Sequence, residues 1–187
     1  EFTSPNLGYT FGNPSINKLP DGHWAVLFTS GYNNDTTEGG DGVGRLYAVN
    51  PRDGAVISGY PLSTPSGTAA SPSNLGKISA WVNDLASDNT ATHVYSGDLD
   101  GGVWRFDLAT PSVFKLAQLT NASGQVQPVS TRPELALSGG TRIVYVGTGQ
   151  YLGDPDKGTT QVQSLYAIKD TLATSQATLT PRTDSLF

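Results

Sequence analysis

The chain contains no cysteine and no methionine. Without cysteine there is no disulfide, no thiolate nucleophile and no cysteine-held zinc or iron–sulfur centre. Charged residues are scarce, at 14%, and glutamate occurs only three times, at Glu1, Glu38 and Glu134. An acid complement made almost wholly of aspartate favours turns and caps over helices. No apolar run reaches the length of a membrane-spanning helix, so no membrane insertion is expected. The formal net charge of −5 disfavours nucleic acid as a partner. The only histidines, His23 and His93, adjoin strand-like runs without metal-ligand spacing, and are expected as surface or packed strand residues.

The sequence is instead rich in 22 glycines and 12 prolines, with 36% hydrophobic residues. That composition describes short strands joined by tight turns, an all-β chain. Three segments share one pattern, a β-rich run closing on Gly and then an aromatic strand closing on an acid or amide. The first is Val26-Leu27-Phe28-Thr29-Ser30-Gly31 with Leu46-Tyr47-Ala48-Val49-Asn50. The second is Val94-Tyr95-Ser96-Gly97 with Val103-Trp104-Arg105-Phe106-Asp107. The third is Ile143-Val144-Tyr145-Val146-Gly147 with Leu165-Tyr166-Ala167-Ile168-Lys169-Asp170. Tyr47 and Trp104 are 57 residues apart, and Trp104 and Tyr166 are 62 apart. A propeller blade takes roughly 40–50 residues, so the pattern predicts blades with long loops. The expectation is a partial β-propeller of about three to four antiparallel blades, one segment over residues 1–187, with 1–2 read as a cloning remnant. No secretory leader is legible, as expected of an internal piece of a longer chain. A β-sandwich with an accidental repeat is the other all-β reading.

Finer expectations follow. Residues 7–19 read as a first strand with turns, and 24–29 as a strand buried on both faces. The loop 31–44 reads as too polar to pack. Asn50-Pro51-Arg52-Asp53-Gly54 is a hairpin turn, with 55–57 as its partner strand and 58–77 as a connection. A strand over 78–85 and a polar loop over 87–92 come next. Strands over 94–96 and 103–106 flank the turn Asp98-Leu99-Asp100-Gly101-Gly102, and 114–119 continues the sheet. Segments 135–137, 143–146 and 164–168 build the third unit. Residues 171–177 alone lean towards helix.

Catalytic signatures are weak. No Gly-x-Ser-x-Gly elbow occurs. Gly76-Lys77 lacks the flanking residues of a phosphate loop, with Ser71 in place of Gly and Ile78 in place of Ser or Thr. Gly147-Thr148-Gly149 lies among strands, not at a strand-to-helix turn. Asp98 and Asp100 offer two carboxylates, but Asx-type bonds within their own turn explain both. Trp24, Trp81 and Trp104 sit in strand patterns and read mostly as core, although an exposed ring could stack on a sugar. Asn34-Asp35-Thr36 and Asn121-Ala122-Ser123 match glycosylation acceptors, and no Arg-Gly-Asp occurs.

Leu7-Gly8-Tyr9-Thr10-Phe11-Gly12-Asn13-Pro14, Trp24-Ala25-Val26-Leu27-Phe28-Thr29-Ser30-Gly31-Tyr32-Asn33 and, most specifically, Tyr95-Ser96-Gly97-Asp98-Leu99-Asp100-Gly101-Gly102-Val103-Trp104-Arg105-Phe106-Asp107-Leu108 carry a resemblance. Gln127-Pro128-Val129-Ser130 and Gly147-Thr148-Gly149-Gln150-Tyr151-Leu152 follow in the same order. Together they resemble the C-terminal β-propeller of the PilC/PilY type IV pilus tip-associated adhesins, from about Leu7 to about Asp170. The resemblance implies an exported Gram-negative protein at the cell surface or pilus tip, or associated with the outer membrane. It implies a propeller that supports pilus assembly, and this chain as its later blades. The implied partners are pilins and minor pilins, with a host receptor or glycan besides.

The resemblance also implies a calcium loop before the Tyr-x-Gly-Asp motif. Its ligand positions fall on Asp84, Ala86, Asp88, the carbonyl of Thr90, and Thr92. Ala86 has no side-chain oxygen and Thr92 offers only a neutral hydroxyl, whereas calcium takes six to eight oxygens. The loop therefore reads as degraded, with weak calcium at most and no cofactor expected. The function expected is a non-enzymatic pilus biogenesis and adhesion module working through blade loops. The alternatives are a carbohydrate-binding propeller and a quinone-dependent dehydrogenase-like propeller.

Overall fold

The computed structural model describes residues 2–173 and 177–179. The first sheet is a meander of β1 (Ser15–Lys18), β2 (Trp24–Thr29), β3 (Arg45–Val49) and β4 (Leu62–Ser63), each antiparallel to the last. The second repeats the order with β5 (Ile78–Asp84), β6 (Asp88–Gly97), β7 (Gly102–Asp107) and β8 (Ser112–Leu119). The third holds β9 (Glu134–Ser138), β10 (Thr141–Gly147) and β11 (Leu165–Asp170). A short β12 (Ala177–Leu179) returns to the second sheet and runs parallel to β8. The only helical pieces among the described residues are 3-10 turns at Thr36–Glu38 and Asp154–Gly158. β1 lies beside β5, and β5 beside β9, so the leading strands line one side of the stack. Three meanders stacked face to face, leading strands together, are propeller blades.

Alternation along each strand makes the seams. Between the first and second blades, Ala25, Leu27, Leu46 and Ala48 meet Ile78, Val94, Trp104 and Phe106. Between the second and third, Tyr95, Val103, Ala117 and Leu119 meet Val144, Val146, Tyr166 and Ile168. The second blade is thus covered on both faces, and Val94, Tyr95, Val103 and Phe106 are wholly buried.

Tyr47, Trp104 and Tyr166 lie on the third strand of their blades, and all three are buried. Trp104 faces the first blade and Tyr166 the second. Tyr47 alternates with Leu46 and Ala48, which face the second blade, so it points the opposite way, again to the preceding side. There it stacks on its register partner Phe28 at 5.4 Å and is covered by Phe2 at 5.2 Å. The three aromatics are structural equivalents.

Several expectations change. β2 is buried on one face only: Ala25 and Leu27 are inaccessible, while Trp24 is 49% exposed on the other face. The first strand expected within 7–19 is β1, Ser15–Lys18, and residues 7–14 before it supply one bridge, Tyr9 to Tyr32. The turn after β3 forms, with Gly54 at φ +75°, but its partner is the single bridge Val49 to Val56, and the fourth strand waits until Leu62. The loop 31–44 does pack, with Asn34 1% exposed. Glycine allows it, since a Cβ on Gly42 would lie 1.9 Å from the Thr68 carbonyl oxygen. Residues 88–92 belong to β6, not to a loop. The helical reading of 171–177 falls partly on 174–176, outside the described residues, and its Ala177 end opens β12.

Trp104 fills the first seam at 1% exposure. Replacing it with alanine is expected to cost roughly 3–5 kcal/mol, the usual loss for a buried large aromatic. Urea unfolding would measure this, and a loss under about 1 kcal/mol would contradict the buried assignment.

Candidate functional site

The calcium-type positions lie at the end of the β5–β6 hairpin. Asp84 and Asp88 are register partners across a turn of Leu85, Ala86 and Ser87. Asp84 accepts hydrogen bonds from the Ala86 N–H, at 3.1 Å, and from the Ser87 hydroxyl. Asp88 accepts from Lys18 Nζ at 2.8 Å and from the Thr90 hydroxyl at 2.7 Å. These bonds, to Ser87 for Asp84 and to Lys18 for Asp88, hold both carboxyls below their usual range. Thr90 pairs with Lys18 in the bridge that joins the two blades. The Thr92 hydroxyl is turned to His93 Nδ1 at 2.9 Å. The structure brings Asp84, Asp88 and Thr90 together and leaves Thr92 apart. Lys18 and Thr90 claim Asp88, the Ala86 N–H and the Ser87 hydroxyl claim Asp84, and a strand replaces the loop, so the four residues do not fit a calcium cage.

The hairpin before Trp104 is a tighter device. Asp98 is wholly buried. Its Oδ1 accepts from the Gly102 N–H and its Oδ2 from Trp104 Nε1, each at 2.6 Å. Burial pushes its carboxyl up to about 6, against the lowering effect of Trp104 and Gly102. Its backbone oxygen accepts from the Val129 N–H at 2.9 Å and anchors the chain entering the third blade. The Asx reading therefore holds for Asp98. It fails for Asp100, which is exposed and accepts from the Ser66 hydroxyl at 3.4 Å. Asp98 is thus sealed in the core, whereas Asp100 lies on the surface.

The second seam holds a polar cluster that the sequence did not reveal. Arg105, 2% exposed, donates to Asp170 of the third blade at 2.7 Å and to Asp107 at 2.9 Å. Burial alone would lower the Arg105 guanidinium, but Asp107 and Asp170 outweigh it and raise it. The Tyr95 hydroxyl donates to Asp170 at 2.7 Å, and burial and that carboxylate push it up. His93 lies between Arg142, at 2.7 Å, and Asp107, at 3.1 Å. Burial and Arg142 lower its pKa. Two arginines and two aspartates balance, so the cluster ties the blades together. Among the described residues no three His, Cys, Asp or Glu side chains gather as a metal site.

Two surfaces stand out at the loop ends. Tyr9 and Phe11 stack at 6.0 Å and are 62% and 61% exposed, on backbone pinned by reciprocal Tyr9–Tyr32 bonds. On the first blade, the β1–β2 turn and the turn after β3 enclose a cleft of about 540 Å³ that includes Trp24.

Two outcomes test this chemistry. Because Asp98 sits near 6 in the fold against 3.8 when free, the native state binds its proton first. Ionisation then costs stability, which is regained as pH falls from about 6 to about 4, by about 3 kcal/mol. The exposed carboxyls with lowered pKa oppose this, so the measured quantity is the difference between wild type and Asp98→Asn in urea unfolding across that range. Parallel profiles would contradict the assignment. For the hairpin, a chelator is expected to leave the melting temperature unchanged. A micromolar calcium constant by calorimetry, lost in Asp84→Ala, would overturn that.

A family model described as the PilY1 beta-propeller domain matches residues 3–118. The chain is 29% identical over 201 residues to the type IV pilus biogenesis factor PilY1 of Pseudomonas aeruginosa strain UCBPP-PA14, covering 90% of this chain and 16% of that protein. It is 30% identical over 168 residues to a type IV pilus biogenesis factor PilY1 homolog of Xylella fastidiosa, covering 88% of this chain and 13% of that one. The crystal structure of the Pseudomonas aeruginosa PilY1 C-terminal domain superposes with a TM-score of 0.75 at 26% identity, over 95% of this chain and 41% of that chain. The chain thus spans less than a fifth of the curated relatives it matches. With the family's blades matched over well over half of its residues, and built here as three stacked meanders, this chain belongs to the PilY1 β-propeller family of type IV pilus proteins.

Proposed function

We propose that the chain is a non-enzymatic part of a type IV pilus biogenesis protein, forming the later blades of a larger propeller. In this reading it acts outside the cell, at the surface or pilus tip. It supports assembly and attachment by presenting blade-end loops to pilins and minor pilins. The observation that carries the reading is the Tyr9–Phe11 pair. Two stacked rings more than 60% exposed, on backbone tied to the sheet by the Tyr9–Tyr32 bridge, combine exposure with rigidity. Exposed aromatics held in place lose little entropy on docking and are typical interface anchors. The names of the relatives supply the pilus context.

The test is made in the full-length protein. Tyr9→Ser with Phe11→Ser is expected to leave protein level and export intact while lowering surface piliation and attachment. Because both rings are largely solvent-exposed, the fold is expected to survive, and the melting temperature of the variant checks this. Normal piliation and attachment at wild-type protein level would sink the reading.

A further inference from the structure

The loop leaving β8 and the loop joining β10 to β11 enclose a small pocket of about 110 Å³. Pro128 lines it from the first loop, and Gln150, Asp156, Thr159, Gln161 and Gln163 from the second. It lies between two loops of the chain, not on the outer face of the first or third blade. The two walls are braced against each other. The Gly149 N–H donates to the Pro128 carbonyl at 2.7 Å, and the Ser130 hydroxyl to the Gly149 carbonyl at 2.8 Å. Gln127 Nε2 donates to the Val162 carbonyl and Gln161 Nε2 to the Val126 carbonyl, each at 2.8 Å. Gly149 is needed at the back of the pocket, since its φ is +129° and a Cβ there would lie 3.4 Å from Gln163 Cγ. Two motifs that the reading above leaves unused, Gln127-Pro128-Val129-Ser130 and Gly147-Thr148-Gly149-Gln150, thus come together here.

The lining turns its donors into the protein and leaves acceptors free. Gln150 Nε2 donates to Asp156 Oδ1 at 2.8 Å, and Gln163 Nε2 to the Gln161 carbonyl at 3.2 Å and to Gln161 Oε1 at 3.1 Å. Gln163 Oε1 is buried with no partner among the described residues, and Gln150 Oε1 has none among them either. Asp156 Oδ2 accepts from the Leu152 and Gly153 N–H groups at 2.6 and 3.2 Å. No described cation pairs with Asp156, because the adjacent Lys157 turns to Asp154 instead. We infer that this pocket receives a primary ammonium group, the end of a lysine side chain on a docking protein. An ammonium is a compact charge with three donors and no acceptor, which matches two free amide oxygens beside an unpaired carboxylate. The volume suits the end of a side chain and falls well short of a whole small-molecule site. Calcium fits worse, since Asp156 is the only carboxylate in the lining and its oxygens already accept from Gln150, Leu152 and Gly153. A guanidinium fits worse again, because its planar fork calls for a carboxylate with both oxygens open. Tyr151 and Leu152, next to Gln150 in the same loop, are 68% and 41% exposed and offer apolar contact to a protein surface. The net charge of −5 favours a basic partner. The inference rests on the loop-docking reading above only in taking the ammonium from a protein.

The test titrates the whole chain with Nα-acetyl-lysine methylamide at constant ionic strength. The readout is the assigned side-chain amide resonances of Gln150 and Gln163. A saturable shift is expected, absent with the norleucine analogue and weaker with the arginine analogue. In the variants Gln150 alone is read. Gln163→Leu is expected to weaken lysine binding about tenfold, and Gln163→Glu to tighten it by about the same factor, since hydrogen bonds to charged groups exceed neutral ones. A gain in Gln163→Glu requires an intact pocket, so this arm stands even where Gln163→Leu disturbs the loop. No saturable shift, an equal response to the norleucine or arginine analogue, or lysine binding unchanged in both variants would overturn the assignment. Tighter binding of the free diamine 1,4-diaminobutane than of the lysine compound would overturn the protein source. Piliation plays no part in this readout, so its outcome and that of the Tyr9–Phe11 test are read separately.

Discussion

Everything in this chain depends on one constraint: a blade whose two faces are both apolar cannot bury either of them alone. The second blade meets it on both sides, with Trp104 and Phe106 against Leu27, Leu46 and Ala48, and Tyr95 and Val103 against Val144, Val146 and Tyr166. Asp98 coordinates this double burial. It fixes the β6–β7 turn through Gly102, orients the Trp104 indole, and holds Val129 by its carbonyl. A carboxylate is an expensive group to bury, and here two short hydrogen bonds to its charged form offset much of that cost. Gly102 is part of the arrangement, because a Cβ there would lie 2.7 Å from Trp104 Nε1 and 2.8 Å from Asp98 Oδ2.

The two seams use different chemistry. The first is almost wholly aliphatic and aromatic, and it gains its direction from shape. The second carries Arg105, Asp170, Tyr95, His93, Asp107 and Arg142 alongside its apolar core. Each arginine also lies over an aromatic ring, Arg105 over Phe114 at 5.0 Å and Arg142 over Trp81 at 4.7 Å. Broken partnerships in such a cluster cost far more than intact ones gain, so the cluster selects one register of the third blade against the second.

The strands and their repeat were legible because alternation and Gly-bounded turns are local. Leu46-Tyr47-Ala48-Val49 and Val103-Trp104-Arg105-Phe106 announce themselves without knowledge of the rest of the chain. What was not legible is what depends on partners far along the chain. Nothing beside Arg105 in the sequence points to Asp170, 65 residues later, against which it is buried. Asp88 reads as a loop ligand, yet Lys18, 70 residues earlier, claims it and draws it into β6. Composition misled for residues 31–44, where polarity suggested solvent. The loop packs through backbone approaches that only its glycines permit. The positions that the resemblance implies for calcium, Asp84, Ala86, Asp88, Thr90 and Thr92, fall on a hairpin that closes as an ordinary ladder with Asp84 opposite Asp88.

Trp24 shows how position in the stack overrides pattern. It begins a strand as apolar as any in the chain, and its neighbours Ala25 and Leu27 are inaccessible to solvent. The opposite face is built in the same way. Ile16, Val26, Val49 and Val56 follow one another across the register, and Phe28 pairs with Tyr47. In the second and third blades the equivalent face lies in a seam. On the first blade no described sheet covers it, and Ile16 and Val56 are 60% and 40% exposed. Rows of β-branched side chains in register across four segments are costly to leave in water and rare on purely solvent-facing sheet surfaces. The same alternation runs through all three blades, and the burial of a face depends on the sheet laid against it.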